Sequence, residues 1–340
     1  MIQDLRFEQL TRWVQGLPDW EAARLQPASV DASFRRYFRA SQNGRTAIVM
    51  DSPPDREDPL PFVDITQRLL DLNIHAPTIL ARNLLDGFLL LEDLGDTLLL
   101  DALMPDNADN LYREAMNVLL QLQRADTTHL PHYGAAQLSM EMHLMPVWFL
   151  QRHLAFAEAA LPMELIQRTI DNLVSAVTAQ PYVFMHRDFH SRNLMVQDDD
   201  SLAVIDYQGA VYGPVTYDLV SLLRDCYITW PEQRMTRWAL TFHKEAIAAG
   251  TLPPVDETSF LRWFDLTGLQ RHIKVLGIFC RLFHRDGKPG YLKDLPRVLD
   301  YVISVGLQHP ETVTLAEWMR QEQLTERITE LAPVAAAAAA

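Results

Sequence analysis

The spacing of the hydrophobic residues changes near residue 95, and this change constrains the fold more than any other feature of the sequence. Before it, four short segments have the alternation and composition of strands: 33–40, 46–50, 78–82 and 87–92. Asn43-Gly44, between the first two, is typical of a two-residue hairpin turn. Only residues 5–17 and 61–72 keep helical spacing there. The first 92 residues therefore predict a small sheet with few helices.

After residue 95 the pattern is mainly helical, from 96 to 180 and again from 216 to 330, with long helices expected at 108–124 and 138–155. A compact non-helical insert separates the two stretches, and its segments 193–197 and 202–206 predict a hairpin.

The sequence as a whole thus predicts an α+β, bilobal fold. Its parts are a β-rich lobe over 1–92, a hinge at 93–95, a larger mainly helical lobe over 96–334, and a low-complexity alanine tail over 335–340.

Composition and charge exclude several classes of protein. Hydrophobic residues make up 48% and charged residues 22%, so a chain of 340 residues can bury a large core without disulfides. Acidic residues outnumber basic ones by 44 to 30, and the net charge of −14 argues against a nucleic-acid or anionic-membrane binder. Cys226 and Cys280 lie in apolar stretches and are predicted to be buried free thiols.

The expected location is the cytoplasm. The cysteine usage suits a reducing compartment. No apolar run approaches the roughly 20 residues that span a bilayer, and Met1–Phe7 lacks the pattern of a signal peptide. We therefore expect no membrane partner, and we expect the chain to act as a monomer.

The densest group of polar residues is the segment 186–193, called the polar loop below, which follows the apolar residues Val183–Met185. It contains Asp188 and Asn193, and Asp206 follows thirteen residues after Asn193 along the predicted hairpin, which returns it beside Asn193. Polar groups at the ends of apolar elements need partners or a bound ion. Phosphoryl transfer uses such a set, with one carboxylate accepting a proton while a carboxamide and a second carboxylate hold Mg²⁺.

The motif His186-x-Asp188-x-His190-x-x-Asn193, followed by Asp206, resembles the aminoglycoside phosphotransferase and choline kinase family, a branch of the protein-kinase-like fold. The resemblance covers nearly the whole chain. It implies that Asp188 is the catalytic base, that Asn193 and Asp206 are Mg²⁺ ligands, and that ATP is the phosphoryl donor.

The same resemblance implies further roles. Asp218, within the segment 213–219, corresponds to an acid that steadies the catalytic loop in that family. The hinge backbone at Glu92, Asp93 and Leu94 is expected to meet the adenine. Together with the polar loop and the lobe order, these features favour a functional site at Asp188, Asn193 and Asp206 over a purely structural capped turn joined to a hairpin.

Three stretches resemble one bacterial branch of the family most closely: 31–39, 46–51, and the polar loop with Phe189 and Arg192. That branch phosphorylates the 1-hydroxyl of N-acetylmuramate and N-acetylglucosamine in peptidoglycan recycling. The resemblance therefore implies an ATP-dependent amino-sugar kinase.

Two departures concern the nucleotide. The chain has no G-x-G-x-x-G loop, and the strand lysine expected near Met50 is missing. We expect Arg35, Arg36 or Arg39 to hold the phosphates instead, because arginine makes bidentate phosphate contacts and alternation lets Arg35 and Arg39 share a face. The acid on the following helix, Asp64, has no lysine to pair with.

Other polar residues carry weaker expectations. Arg192 either neutralises the transferring phosphoryl group or faces solvent. His186 is expected to hold the polar loop, and His190 either packs there or contacts the site. Asp198–Asp200 is predicted to be a solvated turn.

One later helix carries three basic residues, Arg271, His272 and Lys274, beside an apolar face formed by Leu269, Ile273, Leu276 and Cys280. These cations either reach the acceptor sugar, where one could meet the lactyl carboxylate of N-acetylmuramate, or lie on the surface. The surface position is favoured.

Two other functions compete with the amino-sugar kinase. A phosphotransferase for an aminoglycoside, choline or another amino alcohol would need a cluster of carboxylates, and the candidate acids are spread along the chain: Glu158, Glu164, Asp171 and Asp225. A catalytically impaired pseudokinase would explain the missing lysine but not the intact Asp188, Asn193 and Asp206.

Overall fold

The computed structural model describes residues 4–30 and 34–329. The chain divides into two compact units by its internal contacts. Unit 1 contains the described residues up to Asp126 together with Arg192–Ala210, and unit 2 contains Thr127–Ser191 and the described residues from Val211 onward. The lobe boundaries predicted at 92 and 95 stay a prediction, and the alanine tail at 335–340 lies outside the described residues.

Unit 1 is built on a five-stranded antiparallel sheet with the order β1-β2-β3-β5-β4. Its strands are β1 (Arg24–Val30), β2 (Arg36–Gln42), β3 (Arg45–Asp51), β4 (Ile79–Asn83) and β5 (Phe88–Leu91). The four predicted strands are confirmed, and β1 is an additional strand that the sequence pattern did not indicate. The start of the first predicted strand, at Ser33, lies outside the described residues.

The hairpin between β2 and β3 forms where the sequence predicts it. Asn43 and Gly44 have φ of 52° and 78°, so both adopt the left-handed conformation that a two-residue hairpin requires. Gln42 consequently pairs with Arg45 across the turn. This register places Ala47 and Val49 in the buried layer of the unit.

The helices of unit 1 are α1 (Leu5–Gln15), α2 (Leu60–Asp71), α3 (Leu99–Ala102) and α4 (Ala108–Leu122). Helix α1 begins where Asp4 Oδ1 accepts a hydrogen bond from the Phe7 amide at 3.0 Å, an N-cap. Its residues Leu10 and Val14 are fully buried in the core formed with the sheet.

A two-stranded hairpin, β7 (Leu194–Val196) and β8 (Leu202–Val204), also belongs to unit 1. The amide of Val196 donates to the carbonyl of Thr97 at 2.9 Å, and that of Val204 donates to the carbonyl of His75 at 2.8 Å. These bonds attach the predicted insert to the segments that flank β4 and β5. The turn at Asp198–Asp200 is exposed, as predicted.

Unit 2 is mainly helical and holds one short sheet, in which β6 (Tyr182–Met185) pairs antiparallel with β9 (Val211–Pro214). Its α-helices are α5 (Ala135–Met142), α6 (Met163–Thr178), α7 (Tyr217–Leu223), α8 (Glu232–Ala249), α9 (Glu257–His284), α10 (Leu295–Gly306) and α11 (Val313–Gln321). Shorter 3-10 segments lie at Glu158–Ala160 and Pro289–Asp294.

The single helix predicted over 138–155 is wrong. Helix α5 ends at Met142, and a nine-residue π-helix occupies Met145–His153. Pro146 stands at its second position, where its missing amide hydrogen costs no helical hydrogen bond. π-helices are rare and occur often at functional sites.

Helix α9 runs for 28 residues through the core of unit 2. Its predicted apolar face, including Leu269, Ile273 and Leu276, is buried. Cys226 and Cys280 are buried free thiols, as predicted. None of the helices in the described ranges has the length and apolarity needed to cross a bilayer.

Gly277 marks the closest approach of α9 to the start of the π-helix. A Cβ atom there would lie 2.4 Å from the carbonyl carbon of Leu144 and 2.6 Å from the amide nitrogen of Met145, both backbone atoms. The two helices pack at this distance only because residue 277 has no side chain.

We expect Gly277→Ala to lower the free energy of unfolding by about 1–3 kcal/mol, because the two helices must separate to admit the methyl group. Helix propensity alone would predict a gain of about 1 kcal/mol from this change. Urea unfolding followed by circular dichroism measures the difference. Gly290→Ala, whose Cβ would have no atom within 4 Å, is the matched control. Equal urea concentrations at the unfolding midpoint for wild type and Gly277→Ala would contradict the packing argument.

Candidate active site

Unit 1 contains a cavity of about 470 Å³. Its walls come from β2 and β3, from the segment Glu92–Asp96 that follows β5, and from the ends of the β7–β8 hairpin. Arg39, Asn193 and Asp206 line it together, as do Arg192 and Tyr37. The structure therefore brings one predicted phosphate-binding arginine to the same cavity as both predicted metal ligands.

Arg39 is held at the cavity wall by the segment after β5. Its Nε lies 2.7 Å from Asp93 Oδ2, its Nη2 lies 2.7 Å from Asp96 Oδ1, and Nη2 also donates to the carbonyl of Gly95 at 3.3 Å. The Asp96 and Asp93 carboxylates raise the pKa of Arg39 further above its ordinary value, and Arg39 lowers the pKa of Asp96. The guanidinium thus keeps its charge and masks two carboxylates.

The other two predicted arginines are placed differently. Arg35 Nη2 lies 2.8 Å from Glu57 Oε1, and its side chain is almost fully buried. Arg36 Nη2 lies 2.6 Å from the buried Asp51, and Arg36 also pairs with Asp4. The lining of the cavity includes Arg39 but neither of these two.

The residues predicted to meet the adenine, Glu92, Asp93 and Leu94, all line the cavity. The Glu92 amide donates to the carbonyl of Thr78 at 2.9 Å, and Glu92 Oε2 accepts from the Thr78 amide at 3.1 Å. The carbonyl of Leu94 accepts a hydrogen bond from Gln197 Nε2 at 3.3 Å. These bonds give the segment a defined backbone path although it is neither helix nor strand.

Asn193 and Asp206 stand at the two ends of the β7–β8 hairpin, and the Ile205 amide donates to the carbonyl of Asn193 at 3.1 Å. Asn193 Nδ2 donates to Asp206 Oδ2 at 3.3 Å, and Gln208 Nε2 donates to Asp206 Oδ1 at 2.7 Å. Asp206 has φ of 63°, a strained conformation for a residue with a side chain, of the kind that occurs at functional sites.

This donor set fits Mg²⁺. One carboxylate and one carboxamide oxygen are hard ligands, and Mg²⁺ takes few ligands from protein when phosphates and water supply the rest. The described residues contain no group of three or more His, Cys, Asp and Glu side chains placed to hold a metal. The oxygen pair of Asn193 and Asp206 is therefore the arrangement to which a divalent ion on a nucleotide can bind.

The part of the polar loop that belongs to unit 2, residues 186–191, is fixed by two buried carboxylates. Asp218 Oδ2 accepts from the His186 amide at 2.6 Å, and Asp218 Oδ1 accepts from the Arg187 amide at 2.9 Å. Asp225 Oδ2 accepts from both the amide and the hydroxyl of Ser191, at 2.9 and 2.5 Å. Burial raises the pKa of Asp218 to about 7, against the effect of the two amide donors.

The histidines of the polar loop lie against neighbouring rings and backbone. His186 Nδ1 accepts a hydrogen bond from the Asp188 amide at 3.3 Å, and its ring meets the buried Phe189 edge-on with centroids 5.7 Å apart. His190 meets Tyr227 edge-on at 5.4 Å. These contacts support a role for His186 within the loop, and Asp188 itself keeps an exposed side chain.

Asp188 lies in a positive electrostatic environment. Its side chain reaches solvent, yet the protein atoms packed around it displace part of its water and oppose its charge. Lys274, His190 and Arg271 nevertheless hold the pKa of Asp188 below its ordinary value. The carboxylate is therefore ionised near neutral pH, as a proton acceptor must be.

The surface position favoured for the basic residues of α9 is wrong, because Arg271, His272 and Lys274 are all buried. Arg271 Nη1 contacts Cys226 Sγ at 3.2 Å, and His272 Nε2 lies 2.9 Å from the carbonyl of Arg224. Burial, with the nearby Arg271, lowers the pKa of His272 to about 3, so this ring is neutral at pH 7.

Sequence reasoning missed the role of Glu141 on α5. Its carboxylate is almost fully buried and binds Arg187 Nη2 at 2.7 Å and Lys274 Nζ at 2.9 Å, and it accepts a hydrogen bond from Tyr133. Lys274 Nζ also donates to Tyr217 at 3.1 Å. Lys274 and Arg187 help keep the pKa of Glu141 below its ordinary value although burial opposes its charge. A lone acid on a short helix gives no signal of this network.

Comparison with known proteins identifies the family of this chain. Residues 24–254 match the model of the phosphotransferase enzyme family, APH. The chain belongs to this family.

A curated relative from Pseudomonas aeruginosa, named N-acetylmuramate/N-acetylglucosamine kinase, is 43% identical over 93% of this chain and 97% of its own length. Two solved structures share the fold. A Plasmodium vivax ethanolamine kinase has a TM-score of 0.63 at 11% identity, with 87% of this chain and 86% of that chain covered. The ADP-bound aminoglycoside phosphotransferase APH(2'')-Ib has a TM-score of 0.59 at 13% identity, with coverages of 88% and 98%. The predicted α+β, kinase-like fold is confirmed.

Proposed function

We propose that the chain is an ATP-dependent kinase that phosphorylates N-acetylmuramate and N-acetylglucosamine. The observation that carries the proposal is the 43% identity to a kinase of that name over nearly the full length of both chains. The residues that phosphoryl transfer needs are also present in this chain, in an arrangement that suits their roles.

Asp188 is the proposed base. Asp218 and Asp225 fix the loop on either side of it through four hydrogen bonds, so the carboxylate is positioned before substrate binds. The cations Lys274 and Arg271 keep it ionised. The hydroxyl it accepts a proton from is proposed to be the 1-hydroxyl, which is more acidic than the other hydroxyls of a sugar.

Asn193 and Asp206 are the proposed Mg²⁺ ligands. A bound Mg²⁺ neutralises phosphate charge as the phosphoryl group is transferred. The protein contributes the oxygen pair and its orientation, because Gln208 and Asn193 donate hydrogen bonds to the two oxygens of Asp206. Arg192, which lines the same cavity, supplies further positive charge toward the phosphates.

The cavity of unit 1 is the proposed nucleotide site. The backbone at Glu92, Asp93 and Leu94 lines it, and its groups other than the Glu92 amide and the Leu94 carbonyl, which bind within the protein, are proposed to meet the adenine edge. Arg39 is the member of the predicted arginine group that we assign to the nucleotide, because it lines the cavity and keeps Asp93 and Asp96 from repelling phosphate.

No observation favours the alternative functions. A cationic acceptor such as choline or an aminoglycoside needs free carboxylates, yet Glu141 and Asp225 are bound by donors of the protein. The charges that act on Asp188 come instead from cations. A role in peptidoglycan recycling, a cytoplasmic location and action as a monomer remain part of the proposal.

The deciding experiment measures ADP release with Mg-ATP over five acceptors: N-acetylmuramate, N-acetylglucosamine, glucose, choline and kanamycin. We expect turnover with the two N-acetylated sugars only, and phosphorus NMR of the product should show a 1-phosphate. Turnover with choline or kanamycin instead would refute the acceptor assignment while leaving the chemistry intact. ATP binding without turnover of any acceptor would favour a pseudokinase.

Asp188→Asn should lower kcat by about 10²–10⁴-fold, since an amide cannot accept the proton, while nucleotide binding measured by calorimetry stays near the wild-type value. Asp206→Ala should weaken Mg-ATP binding as well. Asp199→Asn, in the exposed turn of the β7–β8 hairpin, is the control and should leave both quantities unchanged. Wild-type kcat in Asp188→Asn would remove the base assignment.

Arg39→Ala should raise the KM for ATP by about tenfold, which corresponds to about 1.4 kcal/mol. The change removes a cation from the nucleotide site and leaves the carboxylates of Asp93 and Asp96 without this partner at the cavity wall. Arg45→Ala removes an exposed arginine that begins β3 and lies 3.7 Å from Asp19, so it should leave the KM unchanged. Steady-state kinetics at saturating sugar compares the variants. An unaltered KM in Arg39→Ala would show that another group binds the nucleotide.

A further inference from the structure

One face of α9 carries a row of cations, called the cationic row below: Arg271, Lys274, Arg281 and, at the helix end, Arg285. Their spacing of three, seven and four residues keeps them on one side of the helix. The chain as a whole has a net charge of −14, so a row of positive charge within unit 2 departs from its general character.

Three members of the row have partners within the protein. Lys274 binds Glu141 and Tyr217, and Arg271 contacts Cys226. Arg285 forms an ion pair with Asp286 at 2.7 Å. Arg281 differs, because its Nε is covered from solvent and has no hydrogen-bond partner among the described residues.

The carboxylates that act electrostatically on Arg281 are already neutralised. They are Asp286, bound by Arg285, and Glu141, bound by Arg187 and Lys274. Burial and the nearby Arg285 lower the pKa of Arg281, which remains a cation at neutral pH. Arg281 is thus a partly buried guanidinium whose surroundings in unit 2 offer it no free anion.

Two histidines on this stretch of α9 and the π-helix add no further charge near Arg281. His153, the last residue of the π-helix, lies with Nδ1 3.3 Å from Nε2 of His284, three residues after Arg281. Burial lowers the pKa of His153 to about 4 and also lowers that of His284, so both rings are neutral at pH 7. An anion at Arg281 would therefore receive its countercharge from the arginine and not from these rings.

The place of Arg281 on α9 suits one end of an acceptor whose other end meets Asp188. Lys274 and Arg271 act directly on Asp188. Arg281 follows Lys274 by seven residues, about 10 Å along the helix axis. Its long side chain shortens the distance that an acceptor must span between the Arg281 guanidinium and Asp188. The π-helix packs along the same stretch of α9, from Gly277 to His284.

We propose that Arg281 forms the subsite for the lactyl carboxylate that distinguishes N-acetylmuramate from N-acetylglucosamine. The inference rests on the proposed function. A guanidinium binds a carboxylate through two parallel hydrogen bonds, a geometry that lysine does not reproduce. N-acetylglucosamine, which lacks the carboxylate, makes no use of this subsite, so Arg281 sets the relative preference for the two sugars.

The test compares kcat/KM for both sugars in wild type, Arg281→Ala and Arg281→Lys. We expect Arg281→Ala to lower kcat/KM for N-acetylmuramate by about 10- to 100-fold, the range for a lost charge-assisted hydrogen bond, with N-acetylglucosamine changed less than twofold. Arg281→Lys should recover only part of the loss. Arg168→Ala, which removes an exposed arginine of α6 in unit 2, is the control and should leave the ratio of the two kcat/KM values unchanged.

Retained activity on N-acetylglucosamine shows that the variant is folded, so loss on N-acetylmuramate alone supports the subsite. Equal losses on both sugars, or no loss on either, would overturn it. Wild-type turnover of N-acetylglucosamine without N-acetylmuramate would overturn the inference and leave the kinase assignment standing. Wild-type turnover of neither sugar would overturn the proposed function and this inference together.

Discussion

The carboxylate of Asp218 accepts hydrogen bonds from two consecutive backbone amides, those of His186 and Arg187, and the polar loop depends on this contact. Arg187 has φ of 80°, a conformation that a residue with a side chain does not adopt without support. A buried carboxyl group that accepts from both amides supplies that support, because breaking either bond would leave a buried amide and a buried carboxyl oxygen without a partner. The orientation of Asp188, the next residue, follows from it.

The side chain of Arg187 gives the loop a second attachment. It binds Glu141, which also binds Lys274, so one buried acid holds two cations that would otherwise be costly inside the protein. Lys274 in turn keeps Asp188 ionised. The proposed base Asp188, the loop that carries it and helix α9 are therefore parts of one electrostatic network within unit 2, and the cationic row extends that network toward Arg281.

Local sequence signals succeeded where one short motif determines the backbone. Asn43-Gly44 forms the predicted hairpin because both residues tolerate positive φ. The signals failed where neighbours distant in sequence decide. Strand β1 contains Pro27 and polar residues, and β9 ends in Gly213-Pro214, so the sequence of each resembles that of a loop. Each is a strand because it pairs with a neighbour, β1 with β2 and β9 with β6. The helix predicted over 138–155 divides, since α5 ends at Met142 and a π-helix with Pro146 at its second position follows.

The sequence by itself determined which residues are candidates for the chemistry, because Asp188, Asn193 and Asp206 lie on one loop and one hairpin whose spacing is local. It also determined the turn that joins β2 to β3. Only the tertiary structure decided which basic residues are buried. The carboxylate that stabilises Lys274 belongs to Glu141, 133 residues earlier in the chain. An ion pair between residues so far apart depends on helix packing, and no local pattern encodes it.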